Sequence, residues 1–144
     1  MTTTRGVNNT AAQPGTAVPA VTGGQGGGRL AVIYDYRVLT ASDLQNGIIV
    51  MGPDKALKKG DIVHGVALDW DALGAGATLS VGDDGSAARY QAAQDASAAG
   101  QNRALKNGAI GYTLTQDRDI YVTIGGANPT VGATVRLSMT VLRA

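Results

Sequence analysis

The sequence predicts an all-β protein: an antiparallel, jelly-roll-like β-sandwich with one short helix and an extended N-terminal arm. Three observations carry this. Apolar residues alternate with polar or small ones in about seven short segments spaced roughly ten residues apart. Glycine is abundant, 21 of 144 residues, and all 11 acidic residues are Asp, a turn and cap former, with no Glu. Phe is absent, so the core must be Val, Ile, Leu and Ala with five Tyr and one Trp.

Residues 1–28 differ in material from the rest. They hold no acid, two prolines and the run Gly23-Gly24-Gln25-Gly26-Gly27-Gly28, which cannot form a packed layer. A flexible tail fits, and so does an extended arm ordered by a neighbouring subunit. As an arm, it is expected to place Arg5, Pro14, Val18, Pro19 and Val21 at an interface. The sandwich domain is then 29–144.

The domain opens with a strand over 29–39, with Leu30, Val32, Tyr34, Tyr36 and Val38 on one face and Ala31, Ile33, Asp35 and Arg37 on the other. A short strand, 48–51, follows Asn46-Gly47. Residues 55–59 make a helical turn or a loop. The stretch 61–85 reads as a hairpin: Ile62, His64, Val66, Leu68 and Trp70 alternate on one face, Gly74-Ala75-Gly76 reverses the chain, and Leu79 and Val81 point inward in the return strand. Asp83-Asp84-Gly85 is a second turn signal. Residues 86–100 are the helical candidate, with Ser86 as cap, an Ala-rich interior and Gly100 as stop. Three strands complete the chain: 109–115 with Ile110, Tyr112 and Leu114; 119–124 with Ile120, Val122 and Ile124; and 133–142 with Val135, Leu137, Met139 and Val141 inward. The last carries only one charge, Arg136, so it is expected to be central in its sheet or paired across a subunit boundary.

Function classes are narrowed by what the chain carries. A net charge of +1 gives no electrostatic case for nucleic acid or an anionic membrane. No Cys is present, so neither disulfides nor thiolate metal sites support the fold. No apolar run approaches the roughly 20 residues of a membrane helix, and the N-terminus lacks a secretory apolar core, so folding in a cytoplasm is expected. His64, the single histidine, alternates with apolar neighbours and is expected to be packed or at an interface. There is no G-x-S-x-G elbow to pair with it. Asp69, Asp71, Asp83 and Asp84 offer oxygen ligands of the kind Ca²⁺ takes, without EF-hand spacing. The Gly-rich run lacks the strand, helix and Lys of a phosphate loop. Lys55, Lys58 and Lys59 form a small basic patch near a turn. No catalytic residue, metal or cofactor is expected.

Two stretches carry a resemblance: GDIVHGVALDWDALGAGATLSVGDDGSAARYQAA (60–93) and YTLTQDRDIYVTIGGANPTVGATVRLSMTVL (112–142). Together they resemble the small β-sandwich structural proteins of tailed bacteriophage virions. The resemblance implies a non-enzymatic role in capsid decoration (cement) or as a minor head protein, located on the phage head and assembled in the host cytoplasm. The implied partners are the major capsid protein and neighbouring copies, as a dimer or trimer. It brings no functional residues with it. A tail, neck or adsorption module binding a host glycan or another virion protein is the alternative class.

Overall fold

A computed structural model describes residues 29–143. Eight strands form two four-stranded sheets: β1 (Leu30–Val38), β2 (Ile48–Met51), β3 (Ile62–Trp70), β4 (Thr78–Asp83), β5 (Ser86–Asp95), β6 (Gly100–Asn102), β7 (Ile120–Gly125) and β8 (Thr134–Leu142). The first sheet has the order β1-β8-β3-β6 and the second β2-β7-β4-β5. All pairings are antiparallel. Only the β4–β5 connection stays within a sheet; every other one crosses to the opposite layer. The chain thus winds around one core with the two sheets as its walls.

The core follows the alternation most closely in the last two strands. Ile120, Val122 and Ile124 of β7 face Val135, Leu137, Met139 and Val141 of β8, and all seven are buried. Each such aliphatic side chain removed from water contributes roughly 1.5–3 kcal/mol before entropy is counted. β8 is the centre of the first sheet, bonded to β1 on one side and β3 on the other. Its single charge therefore reflects a central position.

Four expectations are corrected. β3 and β4 do not form a hairpin. The seven residues between them carry the chain from one sheet to the other. Leu73 and Ala77 are buried along the way, and the amide of Leu73 donates to Ala96 O at 2.9 Å. The turn at Gly74 exists, with Ala77 N donating to Gly74 O, but it reorients the chain between layers.

Residues 86–100 are not a helix, and no helix occurs among the described residues. The true hairpin is β4–β5, closed at Asp84-Gly85. The Ala-rich composition favours a helix by only a few tenths of a kcal/mol per residue. Pairing with β4 and burial of Tyr90 and Gln91 outweigh that.

No strand spans 109–115. Gly108 and Gly111 have φ of 85° and 81°, which break an extended run. Only Thr113 bridges, to Ile62, while Ile110 is 78% exposed. With 109–115 lost and β5 and β6 gained, the strand count is eight instead of seven.

His64 is not packed. A bulge between Val63 and Gly65 shifts the register of β3 against β8. Val63 turns inward, Ile62 is half-buried and His64 is exposed. Beyond the bulge Val66, Leu68 and Trp70 line the core as expected.

Candidate functional site

Among the described residues, no three His, Cys, Asp or Glu side chains gather as a metal site would require. The aspartates that might have served instead hold loops and neighbouring charges. Asp69 accepts from Arg136 at 3.0 Å, and Asp71 lies 3.6 Å from the same guanidinium. Asp83 is buried at the β4–β5 turn. Its Oδ1 accepts from the amides of Gly85 and Ser86, and its Oδ2 from Arg89 Nε at 2.7 Å and the Tyr90 hydroxyl at 3.1 Å. Burial, reinforced by that carboxylate, pushes the Tyr90 phenol well above its ordinary range. Arg89 also sits over the Tyr112 ring, 4.3 Å from its centroid. Asp61 is buried against Arg143 and receives the amide of Lys58.

The basic patch is dispersed in the same way. Lys55 binds Asp84 at 2.7 Å and Asp119 at 3.4 Å. The backbones of Lys58 and Lys59 are tied to Asp61 and Asp117 while both residues stay exposed. Arg5, Pro14, Val18, Pro19 and Val21 lie outside the described residues.

What remains is a surface. Leu30, Val32, Tyr34, Tyr36 and Val38 of β1 point outward and are 63%, 67%, 61%, 57% and 48% exposed. This row contains no charge and runs about 30 Å along the edge of the first sheet. The inner row of the same strand is Ala31, Ile33, Asp35 and Arg37, of which only Ile33 is buried. Sequence reasoning divided the two rows correctly. It had no means of telling that the bulkier one faces water.

Beside this ridge the outer face of the sheet is low. Opposite Val32, Tyr34 and Tyr36 on β8 stand Thr140, Ser138 and Arg136. On β3 the same rows continue with Gly65, Ala67 and Asp69. A depression with a cavity volume of about 170 Å³ opens there, walled by Tyr34, Arg103 and Arg136 and floored by Ala67 and Ser138. The edge of β1 itself is partly closed. Asp35 Oδ1 accepts the amide of Tyr36, and Oδ2 accepts that of Gly52 at 2.7 Å. A carboxylate thus occupies a donor that an added strand would need.

No protein-family model matches the chain, and no curated protein matches it. Solved structures do. The chain shares its fold with a chain of the cyanophage Pam1 capsid asymmetric unit, with a TM-score of 0.65 and 24% identity over 92% of this chain and 96% of that one. A chain in the capsid of Ralstonia phage GP4 matches with a TM-score of 0.67 and 20% identity, over 81% and 86% of the two chains. A chain in the acidic stable capsid of Helicobacter pylori bacteriophage KHP30 matches with a TM-score of 0.55 and 19% identity, over 78% and 86%. All three likenesses are of fold, and each spans most of a chain of about this length.

Proposed function

We propose that the chain is a non-enzymatic structural protein of a phage virion, specifically a capsid decoration (cement) protein bound to the outer surface of the head. One observation carries the proposal. Three chains from phage capsid structures share this fold over 92%, 81% and 78% of this chain and 96%, 86% and 86% of their own length. The sheet order supports the same reading, since we take the winding β1-β8-β3-β6 over β2-β7-β4-β5 as a jelly roll. In this reading the sandwich is a rigid module and residues 1–28 are an arm that links neighbouring capsomers. The partners are the major capsid protein and further copies of the chain. A tethered second contact raises retention without any new contact in the module itself.

Competition on stripped particles tests this. The full chain is expected to rebind at hundreds of copies per particle. A chain lacking residues 2–22 is expected to keep its melting temperature and to be retained at least tenfold less well, about 1.4 kcal/mol. Equal retention of both chains would reduce the arm to a linker. A handful of copies per particle would move the protein to the tail or neck.

A further inference from the structure

We infer that the outer face of the β1-β8-β3-β6 sheet is a self-association surface, on which the β1 ridge of one copy seats in the depression of a second copy and the reverse. The inference deepens the virion reading by naming how copies meet, and it is tested on the free protein.

Three features lead to a second copy of the chain. The first is shape. The ridge, Val32, Tyr34 and Tyr36, and the low floor lie side by side on one face: Ser138 is one strand away, and Gly65 and Ala67 are two strands, roughly 10 Å, away. A face with a ridge next to a matching trough is complementary to itself under a two-fold rotation, the commonest symmetry of protein pairs. The depression holds about 170 Å³. A cavity of about 150 Å³ accepts benzene, so one aromatic ring fits.

The second feature is chemistry. The trough is walled by Arg103 and Arg136 and bordered by Asp69, whose side chain is half exposed. An entering tyrosine would lay its ring against a cation and bring its hydroxyl near a carboxylate that can accept from it. The ridge supplies two such rings, Tyr34 and Tyr36, with centroids 6.5 Å apart.

The third is area. Two tyrosines and three aliphatic side chains, each about half to two-thirds exposed, present about 500 Å² of side-chain surface. That is at the upper end of what soluble monomers leave in one patch. With the trough added, it approaches the roughly 800 Å² per partner that stable association buries. The Asp35 carboxylate on the Tyr36 amide favours face-to-face contact over simple strand addition at this edge.

The chain contains no cysteine, so a crosslink can be placed cleanly. Chains carrying Tyr34→Cys and chains carrying Ala67→Cys are mixed and oxidised. A disulfide-linked pair is expected in the mixture and not in either chain alone, because position 34 and position 67 share a row across the sheet, and a two-fold axis along the strands brings position 34 of one copy to position 67 of the other. In sedimentation, the wild type is expected to dimerise. Tyr36→Ser or Ala67→Arg should weaken dimerisation at least about 30-fold with the far-ultraviolet spectrum unchanged. Tyr36 is solvent-facing and Ala67 lies on the outer face, so folding is not at stake in either.

A wild type that stays monomeric at high micromolar concentration would overturn the inference. So would crosslinking that is as strong in the single-variant samples as in the mixture. If Ala67→Arg abolishes particle retention while the free wild type is monomeric, the face belongs to the shell protein and the inference again fails. A wild type that dimerises as described but does not bind particles would uphold the inference and sink the virion reading.

Discussion

Asp83 is the residue whose loss should be felt most for its size. It is 1% exposed and accepts four hydrogen bonds, two from turn amides and two from the side chains of Arg89 and Tyr90. In Asp83→Ala the amides of Gly85 and Ser86 can turn to water, since both residues are exposed. The Tyr90 hydroxyl cannot, and an orphaned buried donor costs about 1–3 kcal/mol. Arg89 loses its counter-charge. Removing one partner of a buried pair costs about 3–5 kcal/mol, but Arg89 is only partly buried and keeps the Tyr112 ring, so the low end applies. We expect about 4–6 kcal/mol in total, and less for Asp83→Asn, which retains an acceptor for the turn. Tyr90→Phe supplies the decisive sign. In the wild type it should destabilise by about 1 kcal/mol, and in the Asp83→Ala background it should stabilise, because the orphaned hydroxyl is gone. Urea unfolding followed by the single tryptophan reads all five chains. A loss below about 1 kcal/mol for Asp83→Ala, or the same sign for Tyr90→Phe in both backgrounds, would refute the reasoning.

Three further outcomes follow from the packing and the charges. Trp70 is 5% exposed and donates from Nε1 to Ala98 O at 2.9 Å, so Trp70→Ala should lower unfolding free energy by about 3–5 kcal/mol, measured by urea unfolding with circular dichroism as reporter. Gly126 has φ of 74°, and a Cβ there would lie 2.0 Å from Gly76 O; Gly126→Ala should cost clearly more than Gly132→Ala, where φ is 93° but no atom lies within 4 Å, and the latter should cost about 1–2 kcal/mol. Burial opposes ionisation of Asp43 and Asp84, but Arg37 and Thr40 for the first and Lys55 for the second outweigh it and hold both carboxyls below their ordinary values. Their contribution is therefore complete above the unfolded value of about 3.9 and is lost as pH falls through the folded values. The urea midpoint should drop below pH 4, and drop less in Asp43→Asn. At the other end the raised Tyr90 phenol stabilises fully below about pH 10 and progressively less above it. An alkaline slope that survives Tyr90→Phe would assign it elsewhere.

The strands that were legible in the sequence are those whose alternation is strict and whose inner row is β-branched or Leu. β7 and β8 fit that description, and their inward residues were read correctly. β5 failed the same test because its residues, SAARYQAAQD, include no β-branched side chain. It is an edge strand held by backbone pairing with β4, and backbone pairing leaves no mark on composition. β6 has three residues, none of them apolar, so no period exists to detect. His64 was misplaced by a single bulged residue, since one extra position inverts every side chain before it. The division of strands between sheets is also silent in the sequence. A turn such as Gly74-Ala75-Gly76 looks the same whether it returns the chain to its own sheet or carries it to the other. The candidate surface was half legible, as an apolar row on β1, while its trough depends on β1, β8 and β3 being neighbours.

β1 shows why the outward row is a built feature of the fold. A slip of one residue against β8 would turn Leu30, Val32, Tyr34, Tyr36 and Val38 inward and expose Ala31, Asp35 and Arg37. On hydrophobicity alone that register is the better one. It is opposed by specific bonds of the inner row. Asp35 holds the amide of Gly52 at the end of β2, Arg37 binds Asp43 through Nε at 2.9 Å, and Leu39 N donates to Ala133 O. Ile33 fills the space beside Gly52 so closely that a Cβ there would lie 2.9 Å from its Cγ2. Tyrosine or leucine in those positions would find no such room. The register is therefore fixed by polar and steric fit at the β1–β2 junction, with the larger apolar row kept outside. Specific contacts thus hold five bulky apolar side chains in water, a patch at the upper end of what soluble monomers leave exposed.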